Sequence, residues 1–151
     1  MPIKRKYNAK LLGEYWLAIH PLTGKEIIAS TEEMAANMAT FKELKFLLFD
    51  ITRINSVDMP TSEVVQLAEV DLEASLTNPD LRVVGVAAND LIFGIGRMWE
   101  AYTDEITWKR YFCRTLEEAA TWIENEYGGG LQADDILHKY PFVDSMTNHE
   151  D

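Results

Sequence analysis

The sequence predicts an α/β fold: one sandwich in which a mixed sheet of four or five strands carries about four helices, mainly on one face. Two observations predict it. Apolar runs of strand length, such as 46–49 and 81–88, alternate along the chain with segments whose apolar residues recur every three or four positions. The chain also has the size for one core, because 151 residues with 47% hydrophobic side chains can bury most of their surface.

The N-terminal region predicts a β-hairpin. Residues 3–12 and 15–20 are two extended segments, and apolar side chains alternate along the second of them. We place Gly13 and Glu14 at the turn between the two strands.

A capped helix and a central strand come next. Ser30 and Glu33 have the spacing of a capping box, in which each side chain accepts a hydrogen bond from the backbone of the other residue. They predict a helix over 31–41. Residues 45–52 then predict a strand that is buried on both faces, because its apolar run does not alternate.

A second helix is predicted to begin after Thr61 and Ser62 and to end near Asn78, since a residue that precedes proline disfavours the helical conformation. Its apolar residues recur at helical spacing. We assign the acidic residues between them to the outer, solvated face: Glu69, Asp71 and Glu73.

The remaining elements continue the alternation. Residues 81–88 predict a second buried strand, and Asn89 or Asp90 can cap the helix that follows over 91–102. The last predicted elements are a short strand over 108–113 and a helix over 116–127, which the capping-box pair Thr115 and Glu118 introduces.

Two groups of glycines stand out. Gly94 and Gly96 lie inside a predicted helix and lack the spacing of a phosphate loop, so we expect them to let a neighbouring element approach closely. Three consecutive glycines at 128–130 mark a boundary. The predicted organisation is an α/β domain over 1–127 and a Gly-hinged C-terminal appendage or tail over 128–151.

Charge and composition disfavour several classes of function. The chain has 25 Asp and Glu against 14 Lys and Arg, a formal charge of −11 that repels nucleic-acid phosphates. The three histidines and Cys113 lack the spacing of a metal site, so we expect no metal, no cofactor and no enzymatic activity. With a single cysteine, no signal peptide and no apolar run of membrane-spanning length, we expect a cytoplasmic protein without membrane insertion.

Two carboxylates flank the end of the central strand. Asp50 and Asp58 are a candidate pair at the carboxyl end of a strand, which is where α/β sheets bind ligands. Alternatively, Asp50 closes the strand and Asp58 caps a turn or a helix.

A second candidate site is rich in aromatic side chains. It is either part of the helical core, a protein interface, or the lining of a pocket for a ligand. Its residues are Met98, Trp99, Tyr102 and Trp108.

The predicted order, β-β-α-β-α-β-α-β-α with an Asp-containing loop after the central strand, resembles the STAS domain of bacterial anti-sigma-factor antagonists and of the cytoplasmic tails of sulfate transporters. Within that fold, residues 81–102 and 106–123 are similar to the SpoIIAA-like subgroup. The resemblance covers roughly residues 5–126 in arrangement.

The resemblance implies a non-enzymatic regulatory module that binds a protein partner. Antagonists of this family carry a phosphorylatable serine in a D-S-S-G-like turn, and alignment from Asp58 puts Pro60 at that serine. Thr61 and Ser62 remain as displaced hydroxyls, better suited to capping the helix than to phosphorylation.

The expected partner is a kinase-like anti-sigma factor, a transporter complex or a second copy of the chain. The expected binding residues are Asp50, Asp58, Thr61 and Ser62, with Ser56, Thr61 and Ser62 as candidate phosphosites. The alternative function is a carrier or sensor of a small apolar or amphipathic ligand that uses the four residues of the aromatic site.

Overall fold

The structure, a computed structural model, describes residues 3–127 and 130–142. The strands in these ranges are β1 (Ile3–Asn8), β2 (Gly13–Ala18), β3 (Leu22–Thr23), β4 (Phe46–Asp50), β5 (Val57–Asp58), β6 (Arg82–Val86) and β7 (Lys109–Cys113). The helices are α1 (Gly24–Ala36), α2 (Met38–Phe41), α3 (Thr61–Thr77), α4 (Asp90–Tyr102), α5 (Leu116–Tyr127) and α6 (Ala133–His138).

Five strands form one mixed sheet in the order β1-β2-β4-β6-β7. β1 and β2 are antiparallel, and every other neighbouring pair in this sheet is parallel. The predicted mixed α/β fold is therefore confirmed, with β4 as the middle strand. All five residues of β4 are buried, as its continuous apolar run predicted.

Helices cover both faces of this sheet. Side chains of β4 alternate between two apolar clusters, so that Leu47 and Phe49 meet α1, α2, α3 and α4, whereas Phe46 and Leu48 meet α5 and α6. Four of the six described helices thus share one face, which agrees with the prediction that the helices lie mainly on one face. Helices α5 and α6 form a third layer on the other face, although the helix over 116–127 was among the four predicted.

The turn of the hairpin lies earlier than predicted. β1 and β2 pair up to Asn8 opposite Gly13, so the turn is 9–12, and Gly13 and Glu14 belong to β2. A Cβ at Gly13 would stand 2.0 Å from the ring of Phe46. This glycine therefore makes room for a core aromatic ring rather than for a turn.

Helix α1 begins at Gly24 rather than at residue 31. The capping box that starts it is Thr23 with Glu26: the Glu26 N–H donates to Thr23 Oγ1 at 3.3 Å, and the Thr23 N–H donates to Glu26 Oε1 at 2.8 Å. Ser30, the predicted cap, lies in the middle of this helix. Glycine is tolerated at the start of the helix because the cap, and not its own side chain, fixes the first turn.

The described part of the C-terminal segment, 130–142, packs against the sheet and does not form a free appendage. Ile136 and Tyr140 are buried in the same cluster as the inner face of α5. The Tyr15 hydroxyl donates to the Ile136 carbonyl at 2.8 Å, and Arg53 donates to the Phe142 carbonyl at 2.8 Å. The predicted tail from 143 onward lies outside the described residues.

A second, two-stranded parallel sheet was not predicted. β3 and β5 pair Leu22 with Val57 and Thr23 with Asp58, which fixes the loop after β4 beside the start of α1. Strands of two residues have too few side chains to produce a periodic signal.

None of the helices in 3–127 and 130–142 combines the length and the apolar character needed to cross a bilayer.

Candidate functional site

A cavity of about 90 Å³ lies between the sheet and helices α1, α3 and α4. Its walls are almost wholly apolar and include the indole rings of Trp16, Trp99 and Trp108. Thr31 and Asp71 are the lining residues that bring a hydroxyl or a carboxyl group, and the Thr31 hydroxyl already donates to the carbonyl of Ile27 at 3.0 Å. The carboxyl group of Asp71 is therefore the principal polar feature of this cavity.

Asp71 was assigned to the outer face of its helix, and that assignment was wrong. The residue is only 4% exposed and lies on the buried stripe of α3, seven positions after Val64 and four after Leu67. This spacing is the signal that could have found it, because i+4 and i+7 positions share one helical face. Asp71 was assigned to solvent because it is an acidic residue, and a buried aspartate without a charged partner is rare.

One oxygen of this buried carboxyl group has a partner. The Trp99 indole N–H donates to Asp71 Oδ2 at 2.8 Å, and it is the one hydrogen-bond donor to this carboxyl group among the described residues. Burial raises the pKa of Asp71 to about 7, and the Trp99 hydrogen bond only partly opposes that shift. The carboxyl group therefore exchanges its proton near neutral pH.

Arg110 and Phe112 also contact the indole ring of Trp99. The Arg110 guanidinium carbon lies 5.8 Å from the ring centroid, and the Phe112 ring meets the indole edge to face at 6.1 Å. Arg110 also donates to the Glu100 carbonyl at 2.7 Å, which fixes the guanidinium group. These contacts hold the indole N–H toward Asp71.

Glycines bring α4 and the sheet together at this cavity. A Cβ at either Gly85 in β6 or Gly96 in α4 would stand 2.4 Å from Phe112 Cε1, so both glycines make room for that ring. The prediction of close packing is confirmed for Gly96. It was wrong for Gly94, which is exposed and has no atom within 4 Å of its Cβ position.

The predicted aromatic site divides into two parts. Trp99 and Trp108 line the cavity, and the Trp108 indole N–H donates to the Asn78 carbonyl at 2.7 Å. Met98 is half-buried against the same core, whereas Tyr102 is 46% exposed and does not line the cavity.

The two carboxylates predicted after the central strand lie in different environments. Asp50 is 1% exposed and accepts hydrogen bonds from the Thr52 N–H at 2.9 Å, the Thr52 hydroxyl at 2.6 Å and the Tyr140 hydroxyl. Asp58 is exposed in β5. Asp50 therefore closes its strand, whereas Asp58 faces solvent.

The other residues of the predicted recognition loop are exposed at the start of α3. Ser56, Thr61 and Ser62 face solvent, and Pro60 occupies the N-cap position without a side-chain hydrogen bond. The prediction that Thr61 or Ser62 caps the helix was wrong. The first backbone N–H groups of α3 consequently lack a side-chain acceptor, and the positive end of the helix dipole lies beside two hydroxyls.

Cys113 is the one cysteine of the chain. Cys113 is buried, and burial raises the pKa of its thiol to about 12, which keeps the sulfur protonated at neutral pH. Within 3–127 and 130–142 there is no group of three His, Cys, Asp or Glu side chains arranged to hold a metal ion.

No family model and no curated protein matches the chain. Among solved structures, the chain is similar to an uncharacterized protein of the DUF3478 family, with a SpoIIAA-like fold, from Shewanella loihica PV-4. The two share 17% identity with a TM-score of 0.47, over 80% of this chain and 91% of that one.

Proposed function

We propose that this protein binds a small amphipathic molecule in the cavity between the sheet and helices α1, α3 and α4. One observation carries the proposal: an apolar cavity walled by Trp99 and Trp108 contains a single buried carboxyl group, Asp71. Ligand sites are typically apolar pockets in which a few polar groups fix the orientation of the ligand. The protein would act as a carrier or a sensor.

The loss of folding stability that a buried carboxyl group causes supports this proposal. Placing a carboxyl group in an apolar environment without full hydrogen bonding destabilises a fold. Such a residue is easier to explain where a ligand uses it than where it serves packing alone, because a leucine would fill the same space.

We propose that the protein binds its ligand without catalysing a reaction and that it works in the cytoplasm. Asp71 is the one ionisable side chain among the residues that line the cavity, so general acid–base catalysis would lack a second group in this part of the described chain. The chain has one cysteine and therefore no intramolecular disulfide, which is the usage common in reducing compartments.

Tryptophan emission and native mass spectrometry test the proposal together. We expect a ligand retained on purification, or a saturable change in emission on titration with small amphipathic molecules. Trp99→Phe and Trp108→Phe should diminish that change. Trp122→Phe should not, because Trp122 stacks on Tyr111 at 5.6 Å, away from the cavity lining. A clean apo mass with no thermal shift across a metabolite panel would argue against ligand binding.

Recognition of a protein partner through 58–62 is the second candidate function. It is favoured by the exposure of Asp58, Thr61 and Ser62 at a helix start without a side-chain cap. A phosphate on Thr61 or Ser62 would lie near the positive end of the α3 dipole. The partner would be a kinase-like anti-sigma factor, a transporter complex or a second copy of the chain.

Partner capture from native lysate tests this second function. Asp58→Ala with Ser62→Ala should reduce capture, whereas Glu117→Ala, an exposed change on α5, should not. Unchanged capture by the loop variant would show that 58–62 is not the binding surface. Phosphoproteomics that finds no modification at Ser56, Thr61 or Ser62 would remove the phosphoswitch.

A further inference from the structure

One carboxyl oxygen of Asp71, Oδ1, is available to accept a hydrogen bond, and no cationic side chain of the described residues lines the cavity. Among the described residues, the one hydrogen bond to this carboxyl group comes from the Trp99 indole N–H, which donates to Oδ2 at 2.8 Å and leaves Oδ1 available to accept. The lining residues include no Lys, Arg or His. Arg110 is held beside Trp99 by the Glu100 carbonyl and the Thr103 hydroxyl, and it does not line the cavity.

We infer that the cavity takes a small primary amine, whose ammonium group donates to Asp71 Oδ1 while its apolar body lies against the tryptophan rings. This inference rests on the proposed ligand cavity and names the class of its ligand. A buried carboxylate is stabilised chiefly by a cation that also hydrogen-bonds to it. The amine supplies the countercharge that the lining residues lack.

The walls of the cavity and the charge of the protein favour the same class. Indole rings offer a broad apolar surface to an alkyl chain, and Trp16, Trp99 and Trp108 all line the cavity. The formal charge of −11 attracts cationic ligands and repels anionic ones.

The volume limits the size of the ligand. An apolar cavity of about 150 Å³ accepts benzene. A cavity of about 90 Å³ is therefore suited to an amine with a short alkyl chain.

Isothermal titration calorimetry at pH 8 with three probes of similar length tests the inference: n-butylamine, 1-butanol and butyrate. Asp71 is ionised at this pH because its pKa is about 7. We expect butylamine to bind at least about tenfold more tightly than butanol, and butyrate to bind least. Asp71→Asn should remove the advantage of the amine. Glu69→Gln, an exposed change on the same helix, should leave it intact.

The two proposals fail in different ways. If butanol binds as tightly as butylamine, or if Asp71→Asn keeps the preference for the amine, the assigned ligand class is wrong and the cavity still binds ligands. If none of the three probes binds and tryptophan emission does not respond, both the ligand class and the proposed function are wrong. Circular dichroism of Asp71→Asn confirms that its fold is retained, and Asn can still accept the Trp99 hydrogen bond through its amide oxygen.

Discussion

Asp71 affects the stability of the fold and is also the polar group of the proposed ligand site. Its carboxyl group is 4% exposed and interacts with one indole N–H, so the folded chain stabilises the protonated form more than the unfolded chain does. Burial raises the pKa from 3.8 to about 7. Between these two values the unfolded state has released the proton that the folded state still holds, so rising pH destabilises the fold through this group.

Asp71→Asn should therefore stabilise the protein in a pH-dependent manner. The stability that protonated Asp71 provides is fully present below about pH 4 and is lost as pH rises through about 7, whereas Asn does not titrate. We expect the difference in unfolding free energy between the variant and the wild type to grow by about 2.5 kcal/mol from pH 5 to pH 8. Urea denaturation at both pH values measures it. A difference that stays constant with pH would show that Asp71 titrates normally.

At the scale of elements, helix α4 contains two glycines with opposite consequences. Gly96 and Gly85 both make room for the Phe112 ring, because a Cβ on either would stand 2.4 Å from its Cε1 atom, whereas nothing lies within 4 Å of a Cβ at Gly94. Glycine lowers helix stability at both positions in α4, because glycine in a helix interior is less favourable than alanine. The effect of adding a methyl group therefore differs between the two positions only through the atoms that surround it.

Gly94→Ala should stabilise the protein, and Gly96→Ala should destabilise it. Removing the backbone cost of glycine at position 94 should raise the unfolding free energy by about 0.5–1 kcal/mol. At position 96, a methyl group 2.4 Å from Phe112 Cε1 should lower it by about 1–3 kcal/mol. Thermal and urea denaturation of the two variants provide matched measurements. Equal effects at both positions would contradict the packing described for Phe112.

The elements with long periodic segments were the ones that the sequence predicted well. Helix α3 ends next to Asn78, as predicted, but it begins at Thr61 rather than after Ser62, because Pro60 takes the N-cap position. Asn89 caps α4, as predicted, by accepting from the N–H groups of Leu91 and Ile92. The start of α1 was missed because Thr23 and Ser30 both begin a capping-box pattern, and local spacing cannot choose between them. The choice depends on the sheet, since β3 places Thr23 beside Asp58.

The candidate site was predicted less completely than the fold. Trp99 and Trp108 were identified from aromatic content, but Asp71 was assigned to solvent although it occupies a core position of its helix. Cavities arise where elements distant in sequence meet, and local pattern carries no information on that meeting.

At the scale of the whole molecule, the third layer is formed partly by a segment that the sequence assigned to an appendage. Ile136 is fully buried among residues of β2, β4 and α5, and Tyr140 packs edge to face on Tyr15 at 5.8 Å. The glycines at 128–130 suggested a boundary because glycine lowers local order, yet the contacts resume directly after them.

Ile136→Ala should therefore destabilise the entire domain. Truncating a fully buried isoleucine removes apolar contacts and leaves a cavity, so we expect the unfolding free energy to fall by about 2–4 kcal/mol. Lys139→Ala, an exposed change one residue after α6, should alter it by less than about 0.5 kcal/mol. Denaturation followed through tryptophan emission measures both variants. A negligible effect of Ile136→Ala would mean that 130–142 behaves as a separate appendage.

The hydrogen bond from Tyr140 to Asp50 also bears on synthesis of the chain, because its partners are 90 positions apart. A ribosome that adds roughly 5–20 residues per second makes Tyr140 about 5 to 20 seconds after Asp50. Until Tyr140 has been added, the Asp50 side chain lacks the tyrosine hydroxyl as a hydrogen-bond donor. Final packing around Asp50 therefore requires residues 130–142, which are synthesised after all seven described strands.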